Sequence, residues 1–503
     1  MDLNGLFKSP ANHLSAFAEM QVHLYRHDTS LQDYFLPLQL DMLSTPQGNT
    51  DGERPSSPLV AWALRSADGI SKLSYRQKIK TDVLFCPMPY FSRKTENIFL
   101  TRSLLGLAET GAKILCLLPS ASPLRDELDA QLESAGRSGQ VDFLDPAASL
   151  NRIEARTRAR MSKIRGSLAF EKAVSILEPY QLKPGRAAKA GFEQIAHFVE
   201  AWERLAPRIE FDSVVARCHW HALCSPVCRT ARERGKPVIT FQQGVIGHTL
   251  DVPVTASKYV AFGRSSASFL EKANKRFFQA AGMPETSTEY VPGGCLYDTI
   301  TALPNQFDQQ TLLIVDVPMA QDDFYGTESQ CQALFQLAEK LLASPLPLRR
   351  IIIRPHPYWS NLDFEACQRL AREYPTRCEL SHPAWSLEDD MRRSSAVVGI
   401  FSGVLTVAAA CGLPTIFLET EDGYQTGDLV CFSPHQTLLP DAAFFQIGRL
   451  VTDRKAYAEA REEALQNACE YYEDGANVNL DAQFFSSLLR TGSVTNELQA
   501  EIK

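Results

Sequence analysis

The sequence contains no run of about 18 uninterrupted apolar residues, so no transmembrane helix is expected. Its first residues, Met1-Asp2-Leu3-Asn4-Gly5, lack the basic patch and apolar core of a secretory signal. An excess of positive charge is missing too. Lys and Arg number 51 against 59 Asp and Glu, and the net charge of −8 argues against a general nucleic-acid binder. The 12 cysteines are scattered, several inside expected strands or helices, and read as reduced thiols of a cytoplasmic protein. No Asp-x-Asp stands at a suitable strand end, Asp322-Asp323 being the nearest to one, so no metal ligands are expected. What remains is ordinary for a soluble globular chain, 45% hydrophobic and 22% charged. At 503 residues it exceeds what one core usually supports, so two domains are expected.

The stretch from Arg350 to Leu418 organises the second half. Three runs rich in β-branched residues, 350–354, 396–400 and 415–418, alternate with helical patterns, the signature of parallel strands joined by crossovers. Arg354, His356 and Ser402 fall just past the ends of two of these strands, the edge where open parallel sheets bind ligands. A helix starting near Gly403 would present backbone N–H groups and the positive end of its dipole to an anion, with Thr406 in its first turns. Ser402 is placed to cap it. His356, fixed between Pro355 and Pro357, can donate to a phosphate oxygen or protonate a leaving phosphate. Arg354 reads equally as a phosphate clamp or a structural pair.

In the first half, 81–86, 112–118, 211–216, 237–241 and 258–263 read as strands, with helices at about 97–109 and 266–281. The loop 87–96 would lie at a strand's C-terminal edge and carries Arg93, Lys94 and Glu96. Glu96 is a candidate base for an acceptor hydroxyl, against an ordinary role in the first helical turn. Two histidines and three cysteines lie between Cys218 and Cys228, but the Cys218–Cys224–Cys228 spacing matches no common zinc pattern. The Gln242-Gln243-Gly244-Val245-Ile246-Gly247-His248 loop follows a strand; Gly244 and Gly247 permit close backbone approach, and His248 is a second proton-transfer candidate. Residues 1–45 show helix-like apolar spacing, 44–58 read as a flexible connection, and 120–210 as mostly helical and polar. The basic run from Asn151 to Arg165 is either a solvated helix face or a contact for an anionic glycan, lipid head group or membrane.

Arg-Pro-His-Pro after an apolar strand, then a Ser-containing turn, an Ala-rich helix and Gly-Leu-Pro, resembles the donor half of GT-B glycosyltransferases. The similarity is to bacterial surface-polysaccharide enzymes with a His-Pro motif: Kdo- and sialic-acid-type capsule transferases and CDP-glycerol glycerophosphotransferases. It spans about residues 210–420, and the Gln243-Gly244 loop resembles their His-Gly signature, with Gln243 where many relatives have His. Gln cannot exchange a proton near pH 7. The resemblance implies an α/β GT-B fold of two Rossmann-like domains whose parallel sheets face a cleft. An N-terminal helical extension and connection would span 1–75, an acceptor domain 76–305, a donor domain 306–450, and helices packing back 451–503.

It implies a metal-independent transferase without cofactor, acting on a nucleotide-sugar donor and a glycan or lipid-linked acceptor, with peripheral membrane contact. Arg354, His356, Ser402, Gly403 and Thr406 would hold the donor phosphate, Gln243 and Gly244 would line the cleft, and His356, Glu96 or His248 would move protons. UDP-sugar relatives usually carry a carboxylate on the helix after the Ser turn. Val407-Ala408-Ala409-Ala410 has none, which favours a CMP-activated acidic sugar. A CDP-glycerol-type phosphotransferase, a UDP-GlcNAc 2-epimerase-like isomerase and a non-catalytic glycan-binding relative are the alternatives.

Overall fold

Strands covered on both faces need continuous apolar runs, and the first half of the chain spends its runs this way. The computed structural model describes residues 13–27, 78–87, 94–118, 124–145, 154–177, 186–221, 223–242, 252–295, 302–315, 328–355, 364–382, 386–400, 402–418, 437–473 and 479–490. The first half forms β1 (Ile79–Lys80), β2 (Val83–Cys86), β3 (Ile114–Leu117), β4 (Val141–Leu144), β5 (Ile209–Glu210), β6 (Ser213–Ala216), β7 (Val238–Phe241), β8 (Lys258–Ala261) and β9 (Glu289–Pro292). β2, β3, β6 and β7 are buried along their whole length. Seven of these strands make one parallel sheet in the order β4-β3-β2-β6-β7-β8-β9, while β1 and β5 pair separately. The order reverses between β2 and β6, whose register sets Cys86 opposite Ala216.

The second half repeats the plan with β10 (Thr311–Val315), β11 (Arg350–Arg354), β12 (Cys378–Leu380), β13 (Ala396–Gly399), β14 (Thr415–Leu418) and β15 (Thr437–Leu438). Its order is β12-β11-β10-β13-β14-β15, parallel throughout, with the reversal between β10 and β13. Both halves are therefore doubly wound sheets, each with one topological switch point. The expected class, α/β with two parallel sheets, is the one the chain adopts.

Five strands were not expected from the sequence: the two-residue β1 and β5, which pair only with each other, and β4, β12 and β15. The last three are edge strands of the two large sheets, two to four residues long. β4 alternates buried ends with an exposed Asp142, so it lacks the apolar run that marks a central strand. It lies within the region 120–210, whose described residues are otherwise mostly helical.

The C-terminal segment touches both halves. The Arg454–Tyr471 helix packs against the Gly403–Ala410 helix of the second half and the Arg264–Ala281 helix of the first. Arg461 ties it down by donating to Gly412 O (2.7 Å) and Leu303 O (2.6 Å). At its end the Tyr471 and Tyr472 rings meet edge-on at 4.7 Å and both contact Phe262. The chain passes so close to Gly263 that a Cβ there would lie 2.4 Å from Tyr471 O. The following Ala482–Leu489 helix packs on the Lys94–Glu109 helix, with Phe485 against Phe241.

Of the N-terminal stretch, the helix His13–His27 is described, and residues 28–77, with the 44–58 connection, lie outside the described residues. That helix packs on the Leu168–Leu177 and Arg264–Ala281 helices. Tyr25 meets Phe277 and Phe278 edge-on, and Arg26 Nε donates to Ala281 O (2.8 Å), satisfying a carbonyl at a helix end.

Candidate functional site at the sheet switch points

In the second sheet β10 lies between β11 and β13, and Val315 is in register with both Arg354 and Gly399. The two strand ends thus sit side by side, about 10 Å apart across two strand spacings. The chain leaves β13 and enters the helix Gly403–Ala410, with Ser402 as its N-cap in an extended conformation. Ser402 Oγ accepts the Val404 N–H at 3.2 Å. Eight residues rich in alanine and valine then bury Leu405, Thr406 and Ala408–Ala410 under the sheet edge. Gly403 is exposed and Ser402 half-buried. The positive end of this helix therefore opens at the switch point, which is the geometry that favours an anion.

Thr406 is buried, and its hydroxyl has partners inside the protein. It donates to Gly403 O (2.8 Å) and lies 2.5 Å from the Tyr472 hydroxyl. Arg354 ends β11 with its side chain 23% exposed, against the fully buried side chain of Asp390, its ion-pair partner. Its Nη1 also donates to Ser381 Oγ (3.0 Å), and Ser381 Oγ in turn donates to Asp390. Asp390 is carried by the short Leu387–Arg392 helix, whose start is fixed by reciprocal bonds between Ser386 and Asp389. Those bonds hold the Asp389 carboxyl below its usual range. Of the two roles the sequence leaves open for Arg354, the structural pair is the one with named partners.

The corresponding edge of the first sheet carries two residues that sequence reasoning missed. Arg217 directly follows β6 and is fully buried. Its backbone N–H donates to Cys86 O (3.0 Å), Nη1 donates to Gln242 O (2.9 Å), and its guanidinium lies 4.7 Å over the Phe99 ring. Gln242, directly after β7, accepts the Phe262 N–H at 2.6 Å and reaches the Tyr471 hydroxyl at 3.5 Å. The signal for Arg217 was available: a cation directly after Val214-Val215-Ala216 repeats the pattern of Arg354 after Ile353. Through Gln242, Phe262 and Thr406, elements beyond the C-terminal edges of both sheets converge on Tyr471 and Tyr472.

The Cys/His cluster belongs to the core. His219 and His221 are both buried. Nδ1 of His221 accepts the Leu223 N–H at 3.3 Å, and burial pulls its pKa down to about 4. Cys86 and Cys224 place their sulfurs 3.7 Å apart, and burial pushes both thiols, and Cys218, upward. Raised thiols are packing groups rather than nucleophiles at neutral pH. Among the described residues no group of three or more His, Cys, Asp or Glu side chains is arranged to hold a metal ion.

His356, His248, Gln243 and Gly244 lie outside the described residues, as do Arg93, Gly247 and Asp322-Asp323. Glu96 is placed by its backbone as the third residue of the Lys94–Glu109 helix, the element that also carries Phe99. No helix among the described residues is long and apolar enough to cross a membrane.

No family model matches the chain, and no curated protein does either. Solved structures similar to it share little sequence. Neisseria meningitidis UDP-GlcNAc 2-epimerase bound to UDP-GlcNAc is 13% identical, covering 82% of this chain and 99% of its own, with a TM-score of 0.41. Acinetobacter baumannii MurG is 14% identical with the same coverage, 82% and 99%, and a TM-score of 0.41. The N-terminal domain of Candida albicans trehalose-6-phosphate phosphatase is 11% identical over 84% of this chain and 98% of its own, with a TM-score of 0.45.

Proposed function

We propose that this chain is a glycosyltransferase of the GT-B type. It would pass a sugar from a nucleotide-activated donor, with a CMP-activated acidic sugar as leading candidate, to a glycan or lipid-linked acceptor of surface polysaccharide. The observation that carries this reading is the Ser402-capped helix opening at the switch point between β10 and β13. Ligands of doubly wound sheets bind in this crevice, and a helix N-terminus there is suited to a phosphate.

In this mechanism the first-turn N–H groups of the Gly403–Ala410 helix and the Ser402 hydroxyl hold the phosphate of the leaving nucleotide, joined by His356. Arg354 stays on Asp390 and fixes the end of β11 beside the phosphate site. These fixed dipoles and charges stabilise the negative charge that builds on the phosphate as the glycosidic bond breaks. Glu96 or His248 removes the proton from the acceptor hydroxyl. The helix ends at Ala410 with no carboxylate on it, which supports a cytidine over a uridine donor.

Thermal stabilisation by CMP, CDP, UDP and GDP, each at millimolar concentration, tests the reading on wild type, Ser402→Ala and His356→Ala. A ligand that binds only the folded state must raise the melting temperature. CMP or CDP is expected to raise it in wild type, with the rise lost in His356→Ala and reduced in Ser402→Ala. A response to UDP alone refutes the cytidine donor, and no response to any of the four refutes the transferase. A phosphodiester product from a CDP-linked donor would move the assignment to a glycerophosphotransferase.

A further inference from the structure

The Ser402-capped helix is held from outside its own half of the chain. Thr406, buried in its first turns, has one hydroxyl proton and two close oxygens, Gly403 O at 2.8 Å and the Tyr472 hydroxyl at 2.5 Å. A carbonyl can only accept, so the threonine proton goes to Gly403 and Tyr472 donates to Thr406. The bonds therefore run one way, from Tyr472 O–H to Thr406 Oγ1 and from Thr406 O–H to Gly403 O. A helical threonine readily bonds the carbonyl three residues back. The second hydroxyl arrives from 66 residues later in the chain.

Tyr472 is itself mounted on the first half. It follows the Arg454–Tyr471 helix as its C-cap, and its buried ring packs at 5.4 Å on Phe262, directly after β8. The Phe262 N–H is in turn fixed by Gln242 Oε1 (2.6 Å). Beside this contact Ser265 Oγ donates to Glu470 O (3.2 Å), and Arg264 pairs with Glu473 (2.7 Å). A hydroxyl seated on the edge of the first sheet thus fixes a carbonyl in the first turn of the second half's helix.

We propose, on the reading of that helix as the donor-phosphate site, that Tyr472 is a positioning residue for the phosphate. Gly403 is exposed and has no side chain to pack, so its backbone has the most freedom to lose in this turn. Its N–H is among the first-turn donors that have no partner within the helix. Fixing its carbonyl before the ligand arrives orders that donor in advance. Donors ordered beforehand hold an anion more tightly than donors the anion must order itself. Thr406 acts through Gly403, its own hydroxyl being turned into the protein.

Calorimetric titration of the full chain with CMP, CDP, UDP and GDP tests it, since all four carry phosphate and differ in the rest. For whichever binds the wild type, Tyr472→Phe, which keeps the ring and removes the hydroxyl, should weaken binding about fivefold. Thr406→Val should weaken it to a similar extent, and Thr406→Ser should restore most of that loss. The two hydroxyls act in one chain, so Thr406→Val/Tyr472→Phe should bind about as well as either single variant, without multiplying the two losses. Tyr457→Phe, at another fully buried tyrosine of the same helix, should keep the wild-type affinity even where its melting temperature falls as far. Wild-type affinity in Tyr472→Phe, multiplied losses in the double variant, or an equal loss in Tyr457→Phe would each overturn the positioning role and leave the phosphate site standing. A wild type that binds none of the four nucleotides would overturn both.

Discussion

Replacing His221 with glutamine should flatten the acid limb of the protein's stability. The imidazole is buried beside Trp220, and its Nδ1 serves as acceptor for the Leu223 N–H, a bond that only the form unprotonated at Nδ1 can accept. Burial takes its pKa from 6.5 to about 4. The unfolded chain binds a proton at this residue below pH 6.5, whereas the folded chain resists until about 4. Stability from this source is therefore complete above pH 6.5, declines as the pH falls, and levels off below about 4. A displacement of that size corresponds to about 3 kcal/mol. Glutamine does not titrate, and its carbonyl oxygen can accept the same N–H. Urea unfolding followed by tryptophan fluorescence at several pH values between 7 and 4 provides the measurement, because Trp202 and Trp220 are both buried in the first half. The wild type should lose about 3 kcal/mol more than His221→Gln over that range. Parallel curves for the two proteins would refute the account of His221 as a neutral core residue.

Two further substitutions probe the joints around the switch points. Asp390→Ala leaves the partly buried Arg354 guanidinium without its carboxylate and should cost about 3–5 kcal/mol by chemical denaturation. Arg354→Met/Asp390→Leu, which removes both charges, should recover most of that loss, and a double variant as unstable as the single one would show that the pair is not the cause. Gly263→Ala puts a methyl group 2.4 Å from the Tyr471 carbonyl oxygen, a backbone atom that cannot swing aside. Destabilisation of about 1–3 kcal/mol is expected, read from the denaturation midpoint, and an unchanged midpoint would mean the close approach is not held.

The central strands were legible because burial on both faces demands apolar runs, and Val214-Val215, Ile351-Ile352-Ile353 and Val397-Val398 have few other uses. β4, β12 and β15 escaped for the converse reason. An edge strand such as Val141-Asp142-Phe143-Leu144 makes its ladder on one side and keeps a polar face, so its composition resembles a loop. At the candidate site, the cap at Ser402 could be read from a hydroxyl preceding a helical pattern. The engagement of Arg354 by Asp390 could not, because 36 residues separate them in sequence and only the folded chain brings them together. The same applies to Tyr472 and Thr406, whose meeting depends on where a distant helix crosses.

That crossing also bears on how the molecule is made. The strands of the first sheet are complete by residue 292, yet part of its cover, the Ala482–Leu489 helix, follows only after the whole second sheet. Gly106 lies directly beneath the incoming Leu480 carbonyl, and Phe241 waits for Phe485. On the ribosome the first half must therefore stand with this apolar face uncovered while the whole second half is translated, roughly 10–40 s at ordinary elongation rates. A nascent chain with this order of events is a natural client for a holding chaperone. Loss of the Arg454–Tyr471 and Ala482–Leu489 helices would injure the first half of the protein as well as the second.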